Sequence, residues 1–378
     1  MKRRLHRSAA LTAAALVLVG CAADGSLQRE PVVPTAEIGA ASGLRAPMPY
    51  DGRAVLDPEW ILPPQHLDGV FVSAAEGERA LEFTAIASDG EALWTAERPL
   101  SCSGFTLSRN GGDAIAILTD VETTAEALAQ TTASAYDLKT GEHLWGPVDV
   151  PGPHRGPGLV FAYAPKSVMG ESGPRVVLDP ATGAVVFDES AEDLTVVGEF
   201  RGTVLLVRDG ALEALDARGS EMWRVKLAER GWGEVLTPAP AHGWLGDATA
   251  VVETSDYGGV LLELATGDVI AEHVHDALFD TVTETMIVRA GDTLQALDAT
   301  GTPRWQVTVP PNLAIAGAAE VMVYLTEGGT VRVVNALTGA EATAYFDGAG
   351  RLVVPLYAAP SGAAVLAVAD SYVFAPMA

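Results

Sequence analysis

An all-β fold, a β-propeller of four-stranded blades, is predicted by three observations. A short turn motif, as in Leu297–Trp305 (LDATGTPRW), returns along the chain with a mean spacing of about 41 residues, the length of one four-stranded blade. Paired apolar runs precede the motifs, most clearly Thr203–Leu215, Thr285–Leu297 and Val321–Val334, each split by a turn of the RDG, AGD or EGG kind. Outside the N-terminus no helical period of useful length occurs, save Thr123–Thr132 (TTAEALAQTT), which reads as an excursion on one blade.

The chain opens with MKRRLHRSAALTAAALVLVGCAADGS, a basic stretch followed by an apolar run from Ala9 to Gly20. That run falls short of the ~20 apolar residues a spanning helix needs and reads as an export signal over residues 1–20. Leu18–Cys21 (LVGC) resembles the lipobox of bacterial lipoproteins, which implies cleavage before Cys21 and a diacylglyceryl group, its chains of the palmitate kind, on the Cys21 thiol. Two cysteines in an exported chain would suggest a Cys21–Cys102 disulfide. A thioether at Cys21 removes that option and leaves Cys102, beside an apolar patch with no histidine next to it, as a buried inert thiol. Residues 21–51, rich in Ala, Gly, Ser and Pro without a sustained period, read as a flexible tether to the membrane.

The net charge is −25, from 49 acidic and 24 basic residues. Four of the basic residues (Lys2, Arg3, Arg4, Arg7) lie in the signal, so the body is more acidic still. Such a field repels phosphate and argues against a nucleic-acid partner.

Seven copies of the motif place turn glycines at Gly90, Gly141, Gly183, Gly219, Gly267, Gly301 and Gly339. Glycine supplies the positive φ of a tight turn, and the Asp, Glu or Asn that opens the turn can accept N–H groups across it. Asp137, Asp179, Glu263 and Asn335 stand four residues before their glycine, and Asp216 and Asp298 stand three before theirs, so two turn lengths are in use. Four residues after the glycine stand Trp94, Trp145, Phe187, Trp223 and Trp305, while Ala271 and Thr343 break the pattern and Tyr345 covers the second on the same face. A large ring at one fixed point of each hairpin suits face-to-face packing of neighbouring sheets. The propeller spans residues 52–378, which favours eight blades, with seven as the alternative. Three strands after the last motif lack a fourth, and Gly52–Asp57 can supply it, closing the ring with N- and C-terminal strands.

The pattern Leu-Asp-x-x-Thr-Gly-x-x-x-Trp resembles the repeat of pyrroloquinoline-quinone-type β-propellers over nearly the whole body. That resemblance implies either a quinone-dependent dehydrogenase or a cofactor-free scaffold such as the lipoprotein propeller that assists outer-membrane protein assembly. The dehydrogenases' vicinal Cys-Cys pair is missing, no position matches their Ca²⁺ ligands, and the chain is shorter than those enzymes usually are. His273 and His275 share a strand face but have no third ligand, and Gly170–Ser172 (GES) lacks the setting of a hydrolase nucleophile. No cofactor, metal or catalytic residue is therefore assigned. Two loops exceed what a blade needs: Gly152–Gly158 (GPHRGPG) with His154 and Arg155, and Arg230–Asp247 with Trp232 and Trp244. Long loops on a rigid scaffold are where binding concentrates, so these four residues are the expected contacts for a protein or peptide partner. The sequence thus predicts a lipid-anchored extracytoplasmic propeller, held to the cell membrane through Cys21, that binds or scaffolds a protein without covalent chemistry. A quinone- or metal-dependent oxidoreductase is the alternative.

Overall fold

The computed structural model describes residues 27–101, 104–122, 130–163, 173–237 and 242–378. Cys21, Cys102, Gly170–Ser172 and most of Thr123–Thr132 lie outside them. Among the described residues the regular structure is antiparallel sheet, apart from one short parallel pair and one helical turn, Leu227–Arg230. The sheets follow one another in chain order. Phe105–Asn110, Asp113–Glu122, Gln130–Asp137 and His143–Val150 form a four-stranded meander, as do Thr195–Phe200, Thr203–Arg208, Ala211–Asp216 and Glu221–Lys226. Val160–Ala162, Arg175–Leu178 and Val185–Asp188 form a sheet of three, to which a bridge between His154 and Phe161 adds an inner edge. In a seven-stranded sheet, Val269–Asp280 serves two sets in turn: Val269–Val274 pairs with Gly258–Glu263, and Val274–Asp280 pairs with Thr285–Ala290.

Burial follows position within each meander. Ala211–Leu215, a middle run, is buried without alternation because both faces of its sheet are covered. Glu221–Lys226, the edge of the same sheet, alternates between exposed and half-buried.

All seven motif glycines have left-handed backbones, from φ +69° at Gly339 to +93° at Gly90. Both turn lengths occur. The N–H groups of Gly141, Gly183, Gly267 and Gly339 donate to the carbonyl four residues back, and those of Gly219 and Gly301 to the carbonyl three back. Asp137 Oδ1 accepts the Thr140 N–H at 2.8 Å, and Asp298 Oδ1 accepts those of Thr300 (2.9 Å) and Thr302 (3.0 Å). These bonds hold the exposed Asp298 carboxyl below its usual range, the Thr300 side-chain bond first.

The large rings sit on the turn of the following meander. Trp94 Nε1 donates to the Leu138 carbonyl at 2.9 Å, Trp145 to Pro180 at 2.8 Å, Trp223 to Leu264 at 2.8 Å and Trp305 to Ala336 at 2.7 Å. Each accepting residue lies three positions before a motif glycine. A Cβ on that glycine would stand 3.0 Å from Trp94 at Gly141, and 2.7, 2.7 and 2.8 Å from Trp145, Trp223 and Trp305 at Gly183, Gly267 and Gly339. At Gly219 the neighbour is Phe187, which has no N–H, and at Gly301 it is Ile270 at an ordinary 3.8 Å. Tyr345, half-buried, packs beside Tyr324 and donates its hydroxyl to the Val353 carbonyl at 2.8 Å.

Two details depart from the sequence reading. The strand that joins Val354–Ala358, Ala364–Val368 and Ser371–Ala375 is Leu56–Trp60, paired as Leu56 with Phe374 and Trp60 with Tyr372, which overlaps Gly52–Asp57 at its last two residues and runs three further. The second concerns the expected free tether, which in its described part lies along the body. Val32 and Thr95 exchange both backbone hydrogen bonds at 2.9 Å on the open edge of Ala92–Pro99. Arg29 pairs with Asp120 at 3.0 Å. Ala41 N–H donates to Val55, Leu44–Arg45 runs parallel to Arg351–Leu352, and Met48 N–H donates to Ala344. Tyr50 is buried among Tyr324, Val333 and Val353. Small and proline residues that lack a period suit such a strap, which follows other edges and has no face of its own to bury.

Replacing Gly301 with Val should cost about 1–3 kcal/mol through left-handed strain alone. Gly267→Val should cost more, because it must also displace Trp223, and thermal melts of the two variants side by side check the order.

Candidate functional site

The two long loops meet at one cavity of about 670 Å³. Its walls come from the inner strands of successive meanders, including Gln65, Leu107 and Glu199, and from loop residues His154, Arg155, Trp244 and Asp247. Gln65 ties two of these strands, donating to the Phe105 carbonyl and accepting the Leu107 N–H, both at 3.0 Å. Glu199 is buried and accepts the Ser108 hydroxyl at 2.7 Å, the Leu159 N–H at 3.0 Å and the Gly202 N–H. Burial pushes its carboxyl above the usual range against the pull of those donors.

Four charged groups form a chain along one side. Arg109 grips Asp68 with both terminal nitrogens, at 3.0 and 2.5 Å, and reaches Asp247 at 3.2 Å. Asp247 also pairs with Arg201, whose other nitrogen donates to the His66 carbonyl at 3.1 Å. The Arg109 hydrogen bond holds Asp68 below its usual range, and burial lowers Arg201 to about 10. Arg175, buried, pairs with Glu189 at 2.9 Å and donates to Thr237 at 2.7 Å.

Trp244 projects into the middle of this framework. Its ring lies 6.0 Å from His66, 6.0 Å from Phe279 and 6.1 Å from Tyr357, with the Arg201 guanidinium 5.9 Å from its centroid. Three meanders and the charged chain thus meet on one half-buried indole. Its Nε1, and both ring nitrogens of His242 two residues earlier, are buried without a hydrogen-bond partner among the described residues. Unpaired buried donors are costly in a folded protein and mark a place where an acceptor can bind.

Of the four residues expected at a partner contact, three line this cavity. Arg155 is exposed on its rim. His154 is half-buried, with Nε2 2.6 Å from the Gly158 carbonyl, its ring edge-on to Phe161 and its pKa lowered first by burial. Trp232 does not join them. The helical turn Leu227–Arg230, ended by Gly231 at φ +68°, folds Trp232 back between two sheets, where it is fully buried with Leu212, Val252 and Leu262. A ring enclosed by aliphatic side chains cannot meet a partner, so Trp232 belongs to the core.

Sequence reasoning missed the polar chain. Arg201 sits at φ +52° in a hairpin turn that reads as an ordinary Arg-Gly turn, and Arg109 lies near the end of the strand Phe105–Asn110. Nothing in their local sequence marks them as neighbours of Asp247. His273 and His275 are exposed, and His273 stacks on Tyr257 with Nδ1 2.9 Å from its carbonyl. Among the described residues no group of three or more His, Cys, Asp or Glu comes together to hold a metal ion.

Repeated meanders that seat a tryptophan on the next turn define a propeller of the pyrroloquinoline-quinone-like repeat class. Residues 129–278 and 208–374 match the family model described as "Outer membrane protein assembly factor BamB", and the chain belongs to that family. No curated protein sequence matches it. Among solved structures it is similar to BamB from Moraxella catarrhalis, at 16% identity and TM-score 0.44, covering 89% of this chain and 98% of that one. It is also similar to the computationally designed Ika8 protein, at 14% identity and TM-score 0.42, over 84% and 95% of the two chains. A third is apo AztD from Citrobacter koseri, at 14% identity and TM-score 0.38, over 77% and 87%.

Trp232→Ala should cost about 3–5 kcal/mol of stability, as for a ring lost from a core, measured by denaturant unfolding. His66 gives a pH signature. Burial first, and the Arg201 charge second, lower its pKa from 6.5 to about 4. The unfolded chain therefore binds a proton that the folded one refuses. The stability of the neutral ring is whole above pH 6.5 and is lost as pH falls from there toward 4, on the order of 2 kcal/mol by pH 5. His66→Phe keeps a ring on Phe71 and Trp244 and should flatten the fall in melting temperature between pH 7 and 5.

Proposed function

We propose that this chain is an eight-bladed, closed propeller anchored by a lipid on Cys21 to the extracytoplasmic face of a membrane, and that it acts as a protein-binding scaffold without covalent chemistry. The observation that carries the binding role is the convergence of both long loops on one cavity with unpaired buried nitrogens at Trp244 and His242. Trp and Arg beside such a depression suit a peptide segment of a partner, its carbonyl or carboxylate oxygens accepting from the indole N–H and from Arg155.

The eight-bladed reading rests on the four-strand sets, counted with the shared strand Val269–Asp280 and with His154 and Glu341 as single-bridge edges. Closure is supported by the seat of Gly90, whose missing Cβ would meet Leu56 and Pro376 where the other turns meet a side chain of the preceding set. The family's printed description, an outer-membrane assembly factor, agrees with an extracytoplasmic scaffold. The export signal and lipobox of residues 1–21 support the anchor.

Wild-type protein should partition into detergent and Cys21→Ala should not; equal partitioning removes the anchor. A photo-crosslinker in place of Arg155 should form a discrete protein adduct in cells, whereas one at the exposed turn residue Lys139 should not. Trp244→Ala should abolish that adduct at a stability cost of about 1–3 kcal/mol, less than for a fully buried ring. Saturable quinone binding with dye reduction by the purified protein would favour the oxidoreductase instead.

A further inference from the structure

The described strap, residues 27–51, changes how the anchor holds the body. As a free tether, residues 21–51 would let the propeller roam, with an extended reach of about 100 Å. Docked, the strap is spent on the body's own edges. Gln28 N–H donates to Glu97 Oε2 at 2.8 Å, and Glu97 N–H donates to the Gln28 carbonyl at 2.7 Å. Arg98 Nη1 donates to the Arg29 carbonyl at 2.6 Å, and the Arg29 guanidinium pairs with Asp120 at 3.0 Å. Pro31 lies over Gly141 beside Trp94, so the strap reaches the next meander's turn as well. From there it runs back past Val55 to Ala344 and Arg351–Leu352, near the other end of the chain. The strap therefore bridges the first and last strand sets.

We infer that the strap holds the propeller edge-on against the bilayer, with the rim at Glu97–Leu100 facing the lipid. The inference rests on the lipid at Cys21. Only six peptide units separate Cys21 from Leu27, so the anchor reaches at most about 20 Å from that rim. The exit lies on an outer edge strand, Ala92–Pro99, where exposed Leu100 follows, and not on the face that opens the cavity. Edge-on attachment leaves the cavity mouth beside Arg155 open to a partner. The acidic body would, on a free tether, be repelled from an anionic surface; the strap fixes its distance and its rotation instead.

The test uses full-length lipidated protein in phosphatidylcholine vesicles that carry an acceptor dye on a lipid. In a Cys102→Ser background, a donor is placed at Glu78→Cys, on the exposed turn beside the exit, or at Asp268→Cys, on an exposed turn far from it along the ring. Energy transfer from position 78 should be several-fold greater than from 268. Val32→Pro with Arg29→Glu, which removes the Val32 N–H and the Asp120 pair, should make the two positions alike while the protein stays on the vesicles. Cys21-dependent vesicle binding with equal transfer from both positions in the otherwise unaltered chain overturns the orientation and leaves the anchor standing. Vesicle binding that survives Cys21→Ala, or that never occurs, overturns both.

Discussion

The repeated seating of a tryptophan on its neighbour's turn is the constraint on which the rest of this structure depends. A sheet of four short strands cannot bury both faces alone, and an isolated meander of this length is marginal in water. The indole solves this by filling the gap between sheets and fixing their offset with one directed bond, from Nε1 to a carbonyl three residues before the motif glycine. The glycine is required twice over, once for its left-handed backbone and once because a Cβ would strike the ring. Where the ring changes, so does the bond: Phe187 and Ile270 keep contact with the following turn and lose the directed donor. Those interfaces depend on apolar burial alone.

Sheets fixed in this way bring together loops that are far apart in sequence. The distance from His154 to Trp244 along the chain is large, yet both line one cavity because each loop leaves an inner strand at the same end of its meander. The chain from Asp68 through Arg109 and Asp247 to Arg201 spans the same opening and holds the loop that carries Trp244. Its arginines are matched by carboxylates, whereas Arg155 on the rim is exposed.

Much of this was legible in the sequence because it repeats. The seven glycines, the two turn lengths and the five large rings are local patterns, each set by backbone sterics within ten residues, and each stands where the pattern places it. Trp232 and Trp244 show the limit. Both stand in one loop beside glycine and proline, and nothing local separates them. The separation comes from the helical turn at Leu227–Arg230, which carries Trp232 back into the core and leaves Trp244 to cross the cavity. The strap was hidden for a related reason. Its partners, Thr95, Asp120, Val55 and Ala344, are far apart in sequence, and a segment held by backbone bonds needs no apolar period of its own.

Hydrogen exchange of the indole N–H protons tests the seating directly, since the chain has only seven tryptophans, four of them seated. The protons of Trp94, Trp145, Trp223 and Trp305 are bonded between sheets and should exchange only on global unfolding, at rates that fall together as stability is raised. The Trp244 proton has no acceptor among the described residues and belongs to a half-buried ring on the cavity wall, so it should exchange much faster. Rapid exchange at the four seated indoles, with the fold intact, would contradict the claim that these rings lock one sheet to the next.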